Sequence, residues 1–294
     1  EFFNDLLTKQ LEQYTGMLAM ERNCTFDIQS YTTSQDFLRN LRNDLADPGV
    51  PDGLPPELRV GLFAWPRKYP AVIRFANASS SSDRERDIRG MAIRVLGVQG
   101  RNLTAGEKAH DFVLNSHPVM MAADTRGFLD LLQANEAGRA RRTLYFLTHP
   151  RALRAGMAAR TNPTCHLDVA YWSTTPYLFG AGRAVKYIVQ PAGTNRSPKP
   201  EPLTDDYLTK AIRARLAESE AAFDFLVQFQ TDSRRTPIED ASVEWKEKDS
   251  PYVPVARIRI PPQSAHDPAL DVECERMAFN PWHCLDQHRP LGNM

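Results

Sequence analysis

The sequence predicts an α+β chain in which helices are appended around a strand-rich, antiparallel middle. Three observations predict it. Apolar residues recur at helical spacing in the first part of the chain. Strand-like segments cluster from Leu58 to Leu114 and return after Arg183. The two kinds of segment do not follow the strict βαβα rhythm of a parallel sheet.

Taken in order, Phe3, Leu6, Leu7, Leu11, Tyr14 and Leu18 mark an amphipathic helix over Phe2–Met20. Residues Asn23–Gly53 read as helix and loop. Within them Ser34 caps a helix to Leu45 that turns Phe37, Leu38, Leu41 and Leu45 inward. The Pro/Gly break at Asp47–Pro56 divides an N-terminal helical arm, 1–53, from a main domain, 54–294. Strands are expected over Leu58–Phe63, Ala71–Ala76, Gly90–Val98 and Asp111–Leu114, separated by turn residues. Helices follow at Thr125–Leu132 and Arg141–Met157. Arg183–Val189 is a further strand, and Thr194–Leu203, with three prolines, is a crossing segment. Tyr207–Leu216 is a helix of good propensity, and Phe223–Gln230 and Pro254–Ile260 alternate again.

Composition narrows the function classes. Lysine plus arginine equals aspartate plus glutamate at 36 each in 294 residues. That balance gives no overall drive to capture nucleic acid or an anionic membrane. Arg139–Arg142 reads as the solvated face of a helix. No run of eighteen apolar residues is present, so no transmembrane helix is expected, and no basic-then-apolar signal segment opens the chain. Cys24, Cys165, Cys274 and Cys284 are scattered without a CxxC pair, which fits a reduced, cytoplasmic setting. There is no nucleophile elbow, Walker loop or dinucleotide-binding glycine pattern. Cys274, Glu275, His283, Cys284 and His288 form a metal-like group, but without the repeated close pair that zinc sites use.

Two residues stand out. Strand period sets Arg74 opposite Ile73 and Phe75, and an arginine within a short apolar strand is costly unless it meets an anion. It can snorkel, pair with Asp87 or Asp111, or bind an external anion. Asn115 ends the apolar strand Phe112-Val113-Leu114, ahead of His117 and Pro118. Its amide can direct a ligand or serve a turn.

Longer blocks carry a resemblance. Val72-Ile-Arg-Phe-Ala76, Arg86-Asp-Ile-Arg-Gly-Met-Ala-Ile93 and Asp111-Phe-Val-Leu-Asn-Ser-His-Pro-Val119 resemble the haem-pocket core of catalases. Tyr171-Trp-Ser-Thr-Thr-Pro-Tyr-Leu-Phe-Gly180, Pro237-Ile-Glu-Asp-Ala241 and Phe279-Asn-Pro-Trp-His283 are similar to the small bacterial catalase-related proteins, as is His288-Arg-Pro-Leu-Gly292. The superfamily also holds allene oxide synthases. The resemblance, covering 54–294, implies a catalase-like antiparallel β-barrel wrapped by helices, with haem bound against its side. It implies that Arg74 pairs a haem propionate, that Asn115 is the distal amide for peroxide oxygen, and that Phe128 stacks on the porphyrin. Asp87 and Arg89 would close the turn before the next barrel strand.

The pattern departs at two places. No histidine precedes His110, so the family's distal histidine has no counterpart, and the serine that steadies it is Ala76. Without that general acid–base, rapid dismutation of hydrogen peroxide is not expected. The family's iron-ligating tyrosine belongs to a helix after the His-Arg-Pro-Leu-Gly segment, and no tyrosine here has the matching context; the metal ligand is unassigned. The implied function is a haem-dependent peroxidase or hydroperoxide-rearranging enzyme acting on an organic or lipid hydroperoxide or hydrogen peroxide. Two alternatives stay open: a degenerate catalase fold serving as a binding scaffold, and a haem-dependent oxidative tailoring enzyme. The N-terminal helix and the Pro-rich segment resemble arms that relatives pack against a neighbour, so a homodimer or larger assembly is expected.

Overall fold

A computed structural model describes residues 19–28, 54–193, 196–263 and 277–294. Its frame is one antiparallel sheet. The strands are β1 (Ala19–Ile28), β2 (Arg67–Asn77), β3 (Arg89–Leu96), β4 (Ala109–Asn115), β5 (Tyr171–Trp172), β6 (Tyr177–Leu178), β7 (Ala184–Pro191), β8 (Ala221–Phe229) and β9 (Tyr252–Ile260). The order is β5-β4-β3-β2-β1-β9-β8-β7-β6, and β5 also pairs with β7. That extra pairing closes an eight-strand barrel, with β6 hydrogen-bonded to β7 outside the ring. Closure removes the two sheet edges that would otherwise lack partners.

Alternation sets the faces. Along β2 the even-numbered residues are half-exposed or exposed, while Tyr69, Ala71, Ile73, Phe75 and Asn77 are buried. β3 buries Arg89, Met91, Ile93 and Val95 in the same rhythm. The buried side chains fill the interior as an aromatic cluster. Phe26 stacks on Phe112 at 5.8 Å, and Phe225 meets Phe112 edge-on at 4.8 Å. Such pairs add roughly 0.5–1.5 kcal/mol beyond their burial.

Four helices are found among the described residues: α1 (Thr125–Glu136), α2 (Arg139–Thr148), α3 (Pro150–Ala159) and α4 (Tyr207–Glu218). Asp124 caps α1 by accepting from the Gly127 amide at 2.8 Å. The single helix expected over Arg141–Met157 is divided at His149–Pro150. Pro150 stands at the first position of α3, and the residue before a proline is pushed out of helical geometry, here φ −124°.

Three further expectations change. Ala19–Ile28 is a barrel strand paired with β2 and β9, whereas Asn23 onward reads as helix and loop in the sequence. The barrel therefore begins inside the segment assigned to the N-terminal arm. The remainder of the Phe2–Met20 helix and the Ser34–Leu45 helix lie outside the described residues. Leu58–Phe63 is no strand but falls in two short 3-10 turns, Pro56–Leu58 and Gly61–Phe63. Gly61 has φ +51°, and a Cβ there would come within 2.5 Å of His288 Nε2. No larger residue permits that approach.

His288 closes this end of the barrel. Its Nε2 lies 3.1 Å from both the Leu62 amide nitrogen and the Val60 carbonyl oxygen, within reach of a donor and an acceptor. Burial lowers the His288 pKa to about 4 and the His166 pKa to about 3; His110, also fully enclosed, lies well below its ordinary 6.5. A ring neutral in the fold but protonated in the unfolded chain favours unfolding as the pH falls below 6.5. Stability should be full above that pH and fall by roughly 1 kcal/mol per ring between 6.5 and 5.5. Thermal melts across that interval test this. A flat profile would mean that the three rings take up protons without unfolding.

Candidate functional site

Strand register builds a grid on the outer face of β2, β3 and β4. In one row Ala76 lies opposite Gly90, and Gly90 opposite Asn115. In the next, Met20 of β1, Arg74, Ala92 and Val113 are aligned. In the third, Val72, Arg94 and Asp111 follow. Arg74 and Asn115 are thus brought to one face, roughly 10 Å apart across strand β3. The floor between them is made of Ala76, Gly90 and Ala92. A Cβ at Gly90 would meet nothing closer than the Ala76 carbonyl oxygen at 3.7 Å. Val113 beside it leaves 38% of its surface exposed. The result is a flat, small-residue, apolar floor with a cation on one side and an amide on the other.

Each polar group is held for a physical reason. Arg74 is half-buried, and its guanidinium lies over the Phe279 ring at 5.8 Å. Both carboxylates considered as partners are engaged elsewhere. Asp87 accepts from the Ser79 and Ser80 amides at 2.6 and 2.9 Å. Asp111, fully buried, takes Arg94 in a two-pronged pair at 2.7 and 2.6 Å. Among the described residues Arg74 has no carboxylate partner. Asn115 accepts the His117 backbone amide at its Oδ1, 2.9 Å away. That bond orients the carboxamide, leaving its NH2 without a partner among the described residues. Phe128 sits half-buried in the first turn of α1, and no described contact joins it to Arg74 or Asn115. His117 is half-buried, and burial lowers its pKa while Glu244 opposes the shift.

Residues the sequence reading left aside complete the face. Asp111 also accepts the Asn280 amide at 3.0 Å and contacts His283 Nδ1 at 3.1 Å. Arg94 donates to the Ala278 carbonyl at 2.7 Å and lies 5.2 Å from the Phe279 ring centroid. The segment 278–283 is thereby clamped to the sheet, and Phe279 lies under both guanidinium groups. The one sequence signal for this was the Phe-Asn-Pro-Trp-His block itself. The metal-like group does not assemble among the described residues: His283 binds Asp111, while Cys284 and His288 are buried. Cys274 and Glu275 lie outside the described residues.

The arrangement fits haem on its distal side. A planar apolar ring with anionic edge groups would suit a flat floor flanked by an arginine that has no carboxylate partner among the described residues. No described tyrosine is assigned as an iron ligand. Burial pushes the Tyr171, Tyr177 and Tyr187 hydroxyls well above their usual range. In place of the family's distal histidine, β1 presents no histidine: its sequence is Ala-Met-Glu-Arg-Asn-Cys-Thr-Phe-Asp-Ile.

No family model matches the chain. It is 29% identical over 187 residues, 57% of each protein, to a catalase-related peroxidase of Mycolicibacterium paratuberculosis. Its fold matches a fungal catalase at 1.9 Å and a bacterial catalase, each with TM-score 0.64 and 14% identity, and catalase A of Saccharomyces cerevisiae with TM-score 0.65 and 13% identity. These matches take in 98% of this chain but only 58%, 56% and 60% of the three catalase chains. The chain thus spans little more than half the length of the relatives it matches. Among the described residues no helix is long and apolar enough to cross a membrane. The closed antiparallel barrel and these matches show that the chain has the fold of the catalases, with sequence similarity to a catalase-related peroxidase over part of its length.

Proposed function

We propose that the chain binds haem on the outer face of β2–β4 and works as a catalase-related peroxidase on organic or lipid hydroperoxides. The observation that carries this is Arg74, half-buried at the edge of the Ala76–Gly90–Ala92 floor with no carboxylate partner among the described residues. Arg74 would hold a propionate in a charge-assisted pair. Phe128 would pack against the ring, and the clamped Phe279 would keep water from the Arg74 side. Bound haem would supply redox chemistry toward the O–O bond.

The protein's own contribution is orientation. Asn115 Nδ2, turned outward by the bond from the His117 amide, would donate to one peroxide oxygen and fix its place over the floor. β1 carries no histidine and Ala76 no hydroxyl, so the histidine–serine pair that would move a proton between the two oxygens is missing. Hydrogen peroxide dismutation would therefore be slow, and an organic hydroperoxide, turned over with a reducing co-substrate or rearranged, suits the site better. A reduced cytoplasmic compartment and a homodimer or larger assembly belong to the same reading.

Haem titration followed by the Soret band tests it. The native chain should take up haem, and Arg74→Leu should weaken uptake about tenfold or more, the loss of one charge-assisted pair. Equal uptake by both proteins would remove Arg74 from the site. Failure of the native protein to bind would favour the scaffold reading, for which the missing histidine and Ala76 are the supporting observations. Oxygen evolution from hydrogen peroxide should stay low, and a rate typical of a catalase would contradict the lost proton relay.

A further inference from the structure

The overall charge balance conceals a local segregation. Between Glu136 and Asp168 there are six arginines, Arg139, Arg141, Arg142, Arg151, Arg154 and Arg160, and no acidic residue. All six are exposed, and none has an acidic partner among the described residues. The same stretch is α2 and α3. Helix α2 has no buried residue along its ten positions. Leu144 and Leu147 on it expose 56% and 74% of their surface, and Leu153 and Met157 on α3 expose 39% and 63%. A helix this short draws its stability from packing an apolar face. Here Tyr145 and Phe146 are half-buried, while Leu144 and Leu147 have no cover among the described residues.

At the far end of α3 the two features converge. A cleft of about 620 Å³ is lined by Arg86, Arg154, Arg160, Met157 and Ala158. Three guanidinium groups around two apolar side chains suit a ligand that is anionic at its head and hydrocarbon below. An amphipathic helix pair rich in arginine, with leucine and methionine exposed, matches surfaces that lie in a headgroup layer. An acidic protein surface would satisfy the arginines but gives no reason for four large apolar residues left open beside them.

We infer that α2 and α3 form a docking surface for an anionic phospholipid bilayer, with Leu144, Leu147 and Met157 entering the headgroup layer and the arginines meeting lipid phosphates. This does not rest on the haem reading, since it uses neither Arg74 nor Asn115. It goes beyond the sequence reading of Arg139–Arg142 as a merely solvated face.

Flotation of the full chain with vesicles tests it. The protein should rise with vesicles of equal parts phosphatidylcholine and phosphatidylglycerol, stay behind with phosphatidylcholine alone, and be released by high salt. Each arginine near the surface accounts for about fivefold in partitioning, so Arg151→Glu with Arg154→Glu should lose at least about 25-fold. Leu144→Ser with Leu147→Ser should also weaken binding while leaving the net charge unchanged. Both pairs of positions are exposed, so melting temperatures should match the native protein. Equal flotation with neutral and anionic vesicles would overturn the inference, as would none with either. A native dimer that Leu144→Ser with Leu147→Ser dissociates, without flotation, would assign the face to a second copy and overturn it as well.

Discussion

Arg89→Met is expected to lower the stability of the fold by about 3–5 kcal/mol, the range for stripping a buried, hydrogen-bonded charge from its partners. Arg89 is completely buried at the start of β3. Its guanidinium donates to the Asn77 side chain and to the carbonyls of Glu85 and Thr161, at 2.8 and 3.1 Å for the last two. Weaker bonds reach Asp83 O and Asn162 Oδ1 at 3.4 Å. One side chain therefore ties the end of β2, the 83–87 loop and the chain after α3 together. Methionine fills the volume but leaves those acceptors without a donor. Asp83, whose pKa is already raised chiefly by burial, would also lose the nearby positive charge that opposes the rise. Urea unfolding monitored by far-UV circular dichroism measures the loss. A change below about 1 kcal/mol would mean that water replaces the guanidinium and that the bonds of Asp83 and Asp87 suffice to hold the loop.

The second large effect is expected at Asp111→Asn, again about 3–5 kcal/mol, because a buried ion pair loses one charge and keeps the other. Asp111 has no exposed surface, whereas the Arg94 side chain keeps 15%. The amide cannot accept at both oxygens, so the two-pronged Arg94 pair, the Asn280 amide and His283 compete for one acceptor. The consequence extends to the candidate site. Segment 278–283 would loosen, and Phe279 would leave its place under Arg74 and Arg94. Faster hydrogen exchange at Asn280, whose amide is bound to Asp111, should accompany the lost stability. Unchanged exchange there would show that the segment is held by its other bonds, such as the Asp111 amide to the His283 carbonyl at 2.7 Å.

Much of the barrel was legible in one dimension. The alternation in Ala71–Ala76 and Gly90–Val98 has the period of a half-buried strand, and the structure sets these segments side by side in β2 and β3. β1 was not legible. Met20-Glu-Arg-Asn-Cys-Thr-Phe26 is too polar to signal a strand, and its conformation is supplied by its neighbours, β2 on one side and β9 on the other. β5 and β6, two residues each, lie below the length at which any period can be read, although β5 closes the barrel.

By itself the sequence determined the outward direction of Arg74, because strand period alternates faces whatever surrounds the strand. It also determined the absence of a histidine before His110 and the confinement of arginine without acid to 137–167, both facts of residue order. Only the tertiary structure decided which anion Arg74 would not meet. The choice between Asp87 and Asp111 depended on pairings formed across the chain, Asp111 with Arg94 and Asp87 with the Ser79 and Ser80 amides. It decided likewise that the Asn115 oxygen is committed to a turn through the His117 amide, while its NH2 has no partner among the described residues. It decided, finally, that the leucines of α2 find no cover among the described residues, since burial is a property of what packs against a helix and not of the helix's own spacing.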